Sequence, residues 1–258
     1  MLASKTLRMA TVGVAAASMV AIGGEVVFAQ PSGSGSDGPA AAPSESMPPR
    51  PDSDGPNANV QQPRKQTEND AQAMALPGCA DYWNPERGSW YMVCGEILNT
   101  YNELGGPTGA LGLPTSNELI NPDGVGKRTS FTSDSSIYWS PASGAHQIGG
   151  AIGAEWARTG WEGGPHSYPT TDEIDASDGR GRLNHFLGNS DIYWHPDTGT
   201  SAFTVWGEIR QAWVAGGAEG GEFGFPVGNE YQIPGGWGQN FQHGALEWRP
   251  GLGVARAN

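Results

Sequence analysis

One short pattern occurs four times along this chain at a spacing of about 55 residues: Tyr82-Trp83-Asn84-Pro85-x-x-Gly88, Tyr138-Trp139-Ser140-Pro141-x-x-Gly144, Tyr193-Trp194-His195-Pro196-x-x-Gly199 and Glu247-Trp248-Arg249-Pro250-x-x-Gly253. A repeat at a fixed period means one supersecondary unit built several times, so the fold has to be an array. A second pattern falls between these echoes only three times: Leu111-Gly112-Leu113-Pro114, His166-Ser167-Tyr168-Pro169 and Phe223-Gly224-Phe225-Pro226. A glutamate follows each proline four residues later, as Glu118, Glu173 and Glu230. Four of one pattern against three of the other makes the first copy incomplete.

The flanking sequence limits where such an array works. Residues 1–29 carry Lys5 and Arg8, then an apolar run from Ala10 to Gly23, then Val27-Phe28-Ala29, which is the layout of a cleavable secretory signal. The run is too short to span a bilayer of about 30 Å. Removing this segment takes away Lys5, Arg8 and Glu25 and moves the formal charge from -13 to -14. So acidic a chain repels phosphate backbones and anionic lipid, which leaves neutral polysaccharide or protein as partners. Residues 30–76 are rich in Pro, Ser, Gly, Ala and Asp without an aromatic side chain, and are expected to form a disordered spacer. All ten tryptophans lie beyond residue 79, in a segment long enough for a sizeable core.

Within one period, the spacing predicts a short helix with one apolar stripe: Ile97 with Tyr101, Ile152 with Trp156, and Ile209 with Trp213, ended by Gly105, Gly160 and Gly217. After each proline motif come short runs separated by turn residues, Asp123-Gly124, Asp178-Gly179 and Gly235-Gly236, which predict antiparallel hairpins. The expected fold is therefore an α+β repeat protein, mostly β. It has three units of about 55 residues, each a short helix plus a small antiparallel meander, in a compact propeller-like or stacked array. Residues 77–94 form a partial copy, and 95–149, 150–206 and 207–258 form repeats 1, 2 and 3. Cys79 and Cys94 bracket the partial copy, and in an exported chain they are expected to form a disulfide that staples it.

Adjacent Tyr and Trp on a strand point to opposite faces. The Trp position never varies, whereas the Tyr position becomes Glu247 in the last copy, which would be costly in a core. Trp83, Trp139, Trp194 and Trp248 are accordingly expected inside. Tyr82, Tyr138 and Tyr193 are expected outward, as ligand candidates together with Glu118, Glu173 and Glu230. A structural role for these glutamates, accepting backbone donors at the turn after the proline, is the plainer alternative.

No motif of a serine hydrolase, zinc protease or phosphate-binding loop is present. The five histidines, His146, His166, His185, His195 and His243, fall at different points of the repeat, so no recurring metal set emerges. Asp175-Ala176-Ser177-Asp178-Gly179 has the start of a calcium loop without its later ligands, and reads as a hairpin turn. The recurrent glutamates could pair as in a glycosidase, but quasi-equivalent repeats do not supply the unlike environments that an acid and a base require. Neither an enzyme, a metal nor another cofactor is expected.

The motifs Leu111-Gly112-Leu113-Pro114-Thr115 and Phe223-Gly224-Phe225-Pro226, in units of about 55 residues with a downstream Tyr-Trp, resemble the LGFP repeat family. The resemblance runs from about Cys94 to the C-terminus, with His166-Ser167-Tyr168-Pro169 departing at the glycine position. It implies an exported actinobacterial protein associated with the cell wall. Such repeats stand alone or are appended to mycolyltransferases and amidases, and no such enzyme domain accompanies them here. The expected function is a non-catalytic envelope module that binds cell-wall polysaccharide, arabinogalactan or peptidoglycan. The alternatives are a surface adaptor for envelope proteins and, last, a hydrolase or acyl transferase. Nucleic acid and a transmembrane segment are not expected.

Overall fold

The computed structural model describes residues 78–257. The expected signal segment, 1–29, and spacer, 30–76, lie outside the described residues. The chain opens with a hairpin of β1 (Cys79–Asn84) and β2 (Ser89–Cys94). Helix α1 (Gly95–Glu103) follows directly, then β3 (Leu119–Ile120), β4 (Lys127–Ser130), β5 (Ser135–Ser140) and β6 (Gly144–Gly149). The same order repeats as α2 (Gly150–Arg158), β7 (Ile174–Asp175), β8 (Arg182–Phe186), β9 (Ser190–Trp194) and β10 (Ala202–Trp206). It repeats again as α3 (Gly207–Ala215), β11 (Tyr231–Ile233), β12 (Gly236–Phe241), β13 (Gly244–Arg249) and β14 (Gly253–Arg256). Each set of four strands is an antiparallel meander in linear order. Among the described residues no sheet closes on itself, so the strand pairing does not carry the expected propeller-like arrangement.

Strand passes to helix without a loop at Gly95, Gly150 and Gly207, whose φ values of 54°, 51° and 56° are left-handed. A side chain there would be strained, so glycine at these positions lets the chain turn from sheet into helix within one residue. The helices are only nine residues long and would not persist alone. Their stability comes from being covered on two sides. Helix α2 touches β6 of the preceding sheet and β9 and β10 of the following one, and α3 likewise touches β10 and then β13 and β14.

One aromatic side chain per helix fills the space between the two sheets. Tyr101, Trp156 and Trp213 are buried to within 1% of complete. Each meets the tyrosine of the preceding Tyr-Trp pair edge to face: Tyr82–Tyr101 at 5.2 Å, Tyr138–Trp156 at 4.7 Å and Tyr193–Trp213 at 5.1 Å between centroids. On the other side each meets a phenylalanine of the following sheet, Phe131, Phe186 or Phe241. The polar tip of each helix aromatic is also satisfied at one recurrent place. The Tyr101 hydroxyl donates to the Gly112 carbonyl at 2.6 Å, and the Trp156 and Trp213 indoles donate to Ser167 at 3.0 Å and Gly224 at 3.1 Å. These acceptors are the second residues of the three proline motifs. Ser167 adopts φ 59°, close to the 68° and 69° of Gly112 and Gly224, so the departing motif keeps the backbone shape of the other two.

The proline motifs also tie each unit to the one before. Side-chain oxygens of Asn117, Asp172 and Asn229 accept the backbone N–H of Met92, Gln147 and Thr204, which lie on β2, β6 and β10. The third motif residue inserts into the preceding meander: a Cβ at Gly126 would lie 2.0 Å from the Tyr168 hydroxyl, and one at Gly181 would lie 2.6 Å from the Phe225 ring. Only glycine leaves room for that close approach.

These contacts correct the expected facing of the Tyr-Trp pairs. Tyr138 and Tyr193 are buried, 1% and 4% exposed, and Tyr82 is half-buried against Tyr101. The tryptophans Trp83, Trp139, Trp194 and Trp248, expected inside, are half-buried; the last three lie at the edges of the core clusters and Trp83 packs against Trp90. Both faces of sheets β3–β6 and β7–β10 are covered by helices, so alternation along a strand does not separate core from solvent. The tyrosine faces the following helix. The sheet β11–β14 has no following helix among the described residues, and there the position is Glu247, paired with Arg249 at 2.7 Å.

Cys79 and Cys94 are register partners at the open end of the first hairpin and form the disulfide. This hairpin supplies Tyr82 and Val93 to the cluster around α1. Two outcomes are expected. Trp213→Ala should lower stability by about 3–5 kcal/mol in urea denaturation, because it empties the space between two sheets and orphans the Gly224 carbonyl. Cys79→Ser/Cys94→Ser should cost about 3 kcal/mol by the same measurement, the value for a closed loop of this length.

Candidate functional site

The half-buried tryptophans and the recurrent glutamates meet in clefts beside the strand-to-helix junctions. In unit 2 (residues 150–206) a cleft of about 330 Å³ is lined by Gly149–Ile152, Glu173, Arg182, Trp194 and Gly199. In unit 3 (residues 207–258) a cleft of about 440 Å³ is lined by Trp206–Ile209, Glu230, Trp237 and Trp248. The two correspond position by position. Each has a helix start, the glutamate four residues after the motif proline, a residue near the start of the meander's second strand and the tryptophan paired with it in register. The tryptophan shares a strand face with Ile192 in unit 2 and Leu246 in unit 3, which pack beneath the unit's own helix, but it sits at the strand end where the helix has only begun. One side of the indole is packed and the other lines the cleft. The Trp194 indole is fixed by donating to the Gly199 carbonyl at 2.8 Å.

Of the residues expected to meet a ligand, the structure brings Glu173 and Glu230 into these clefts and leaves Tyr138 and Tyr193 in the core. Glu118 in unit 1 (residues 95–149) accepts from the Lys127 ammonium at 2.6 Å. The neighbours of these glutamates, Asn117, Asp172 and Asn229, accept backbone donors, and those donors lie on strands of the preceding unit rather than at the turn. Arg182, Trp206, Glu208 and Trp237 were not among the candidates. The first and last of these are legible as residues four before the recurrent Phe186 and Phe241, a position where composition changes from unit to unit.

Electrostatics differ between the two clefts. Burial raises the Glu173 carboxyl above its ordinary range, and nearby Arg182 acts against this. Burial likewise raises Glu230, with a hydrogen bond from the Trp206 side chain opposing it. Burial also raises the Tyr193 hydroxyl, which suits a core phenol rather than a proton donor to a ligand.

Other polar clusters are structural. His166 is fully buried, its Nδ1 2.7 Å from the Ser190 hydroxyl, which is itself 1% exposed, so this serine–histidine pair has no route to a substrate. Asp178 accepts the backbone N–H groups of Arg180 and Gly181 at 2.9 Å, closing a hairpin turn, while its second oxygen lies 2.9 Å from His195. Among the described residues, no three His, Cys, Asp or Glu side chains gather in a way that could hold a metal ion. No helix among them is long and apolar enough to cross a membrane.

Because the folded chain holds the Glu230 proton to higher pH than the unfolded chain, this carboxyl lowers stability above its ordinary value of 4.5 and has no effect well below it. Glu230→Gln, which still accepts from Trp206, should therefore raise the melting temperature at neutral pH. The difference should vanish below about pH 4, as followed by thermal unfolding across a pH series.

No curated protein matches this chain. The family model of the LGFP repeat matches residues 111–164 and 167–221. Each matched span begins at or within a proline motif and runs through the next helix, and the third motif begins just after the second span. The proline motif and the buried helix aromatic recur in that frame, and residues 111–164 and 167–221 are LGFP repeats.

Proposed function

We propose that the repeat domain is a non-catalytic module that binds polysaccharide and holds an exported protein at the cell wall. The observation that carries this reading is the recurrence, in register, of a cleft with one tryptophan face and one half-buried carboxylate in units 2 and 3. An indole face packs against the C–H face of a sugar ring, and a carboxylate accepts its hydroxyls. Two such clefts on one chain engage a polymer with repeating sugars at once, so modest single-site contacts add into firm retention. Repetition serves binding in this way, whereas a hydrolytic pair needs two carboxyl groups in unlike environments. The secretory layout of residues 1–29, the spacer composition and the acidic charge support a site of action at the wall rather than on nucleic acid or lipid.

Cosedimentation with purified, insoluble cell-wall polysaccharide tests the reading. Trp194→Ala and Trp248→Ala should each weaken retention about tenfold, the effect of about 1.4 kcal/mol of lost contact, and the double variant should not be retained. Raising the salt concentration should change retention little, in contrast to capture of a basic protein partner. Retention of the double variant at the wild-type level would remove the clefts from the function.

A further inference from the structure

One position of the cleft changes character between the units, and the change has a chemical direction. The residue paired in register with the cleft tryptophan is Lys127 in unit 1, Arg182 in unit 2 and Trp237 in unit 3. In unit 1 the Lys127 ammonium is held from two sides. Its Nζ lies 2.6 Å from Glu118 Oε1 and 5.9 Å from the centre of the Trp139 ring. In unit 2, Arg182 Nε lies 3.7 Å from Glu173, and the far end of the guanidinium pairs with Asp175. The recurrent glutamate thus has a cation of this chain beside it in both units, and in unit 1 the tryptophan shares it.

Unit 3 keeps the glutamate and the tryptophan, as Glu230 and Trp248, and omits the cation. Trp237 takes its place and Trp206 is added, so three indoles stand around the carboxylate. Glu208 also lines the cleft. It lies in the first turn of α3, where its charge opposes the positive end of the helix dipole that would otherwise favour an anion. No ion pair among the described residues includes Glu208 or Glu230. Burial of the Glu230 carboxyl has a cost that an incoming cation would remove by favouring the ionised form. Indole faces strengthen such a site, because their negative faces attract cations in a partly dry setting.

We propose that the unit 3 cleft binds a positively charged amino sugar, with its ammonium group beside Glu230 and Trp248, where Lys127 stands in unit 1, and its ring against Trp237 and Trp206. The proposal rests on the reading of the clefts as sugar sites and adds the charge of the sugar. A sugar suits the cleft better than a lysine side chain of a partner protein, because three indoles offer more apolar surface than a four-carbon stem covers. Unit 1, by the same logic, carries its own internal substitute for the ligand.

Tryptophan fluorescence titration of the whole protein tests this, with glucosamine tetramer against its fully N-acetylated counterpart and against a neutral galactan, at about pH 6, above the ordinary range of carboxyl groups. The amine-bearing tetramer should bind at least tenfold more tightly than the acetylated one. Glu230→Gln should abolish that preference, and so should Trp237→Lys, which places unit 1's own cation in the cleft. Trp237 is 38% exposed, so its replacement leaves the core intact. Equal binding of the two tetramers, or a preference that survives Glu230→Gln, overturns the charge assignment. Galactan binding that is lost in Trp194→Ala would still uphold the clefts as sugar sites. Binding of no saccharide at all overturns both readings, and a lysine-rich peptide that binds as tightly as the amino sugar overturns the assignment to a sugar.

Discussion

The aromatic side chain at the centre of each helix holds this array together. Tyr101, Trp156 and Trp213 each fill the space between two sheets, touching a tyrosine behind and a phenylalanine ahead. A nine-residue helix does not persist in water and a small meander exposes an apolar face, so neither part of the unit is stable by itself. The shared aromatic makes each stabilise the other and makes each unit depend on the next. Its hydrogen bond to the second residue of the proline motif then sets where that loop lies, and with it the glutamate a few residues on.

The same arrangement explains why the clefts stand where they do. Each meander between two helices is covered on both faces, and the partly open positions that form the clefts are at strand ends, beside the first residue of a helix. The tryptophan of each Tyr-Trp pair lies there, half-packed and half-accessible. The recurrent glutamate arrives from the loop anchored by Asn117, Asp172 or Asn229. A cleft built in this way repeats with the fold and can vary in chemistry without disturbing the core. Lys127, Arg182 and Trp237 show that variation at one register position.

Much of the fold was legible in the residues because it depends on local spacing. Ile and an aromatic four apart marked each helix, Gly105, Gly160 and Gly217 marked its end with left-handed φ values near 100°, and Asp-Gly or Gly-Gly pairs marked the hairpins. The pairing of Cys79 with Cys94 followed from their place around an unsupported hairpin. Glu173 and Glu230 were legible as cleft residues because they recur. The tyrosines differ from their expected facing because Glu247 does not represent the same face in every copy. It marks the sheet that no helix follows among the described residues, and in the other sheets that face is buried beneath the next unit.

Period, element order, helix faces and turns were set by residues within a few positions of one another, where backbone sterics and side-chain spacing act directly. Which of two adjacent aromatics meets the core, and which lines a cleft, was decided only when the units came together. Burial of a strand face depends on whether another helix covers it, and that helix belongs to the next repeat. The chain thus declared its repeat and its candidate carboxylates by itself, while the tertiary structure buried the tyrosines and left the tryptophans beside them to line the clefts.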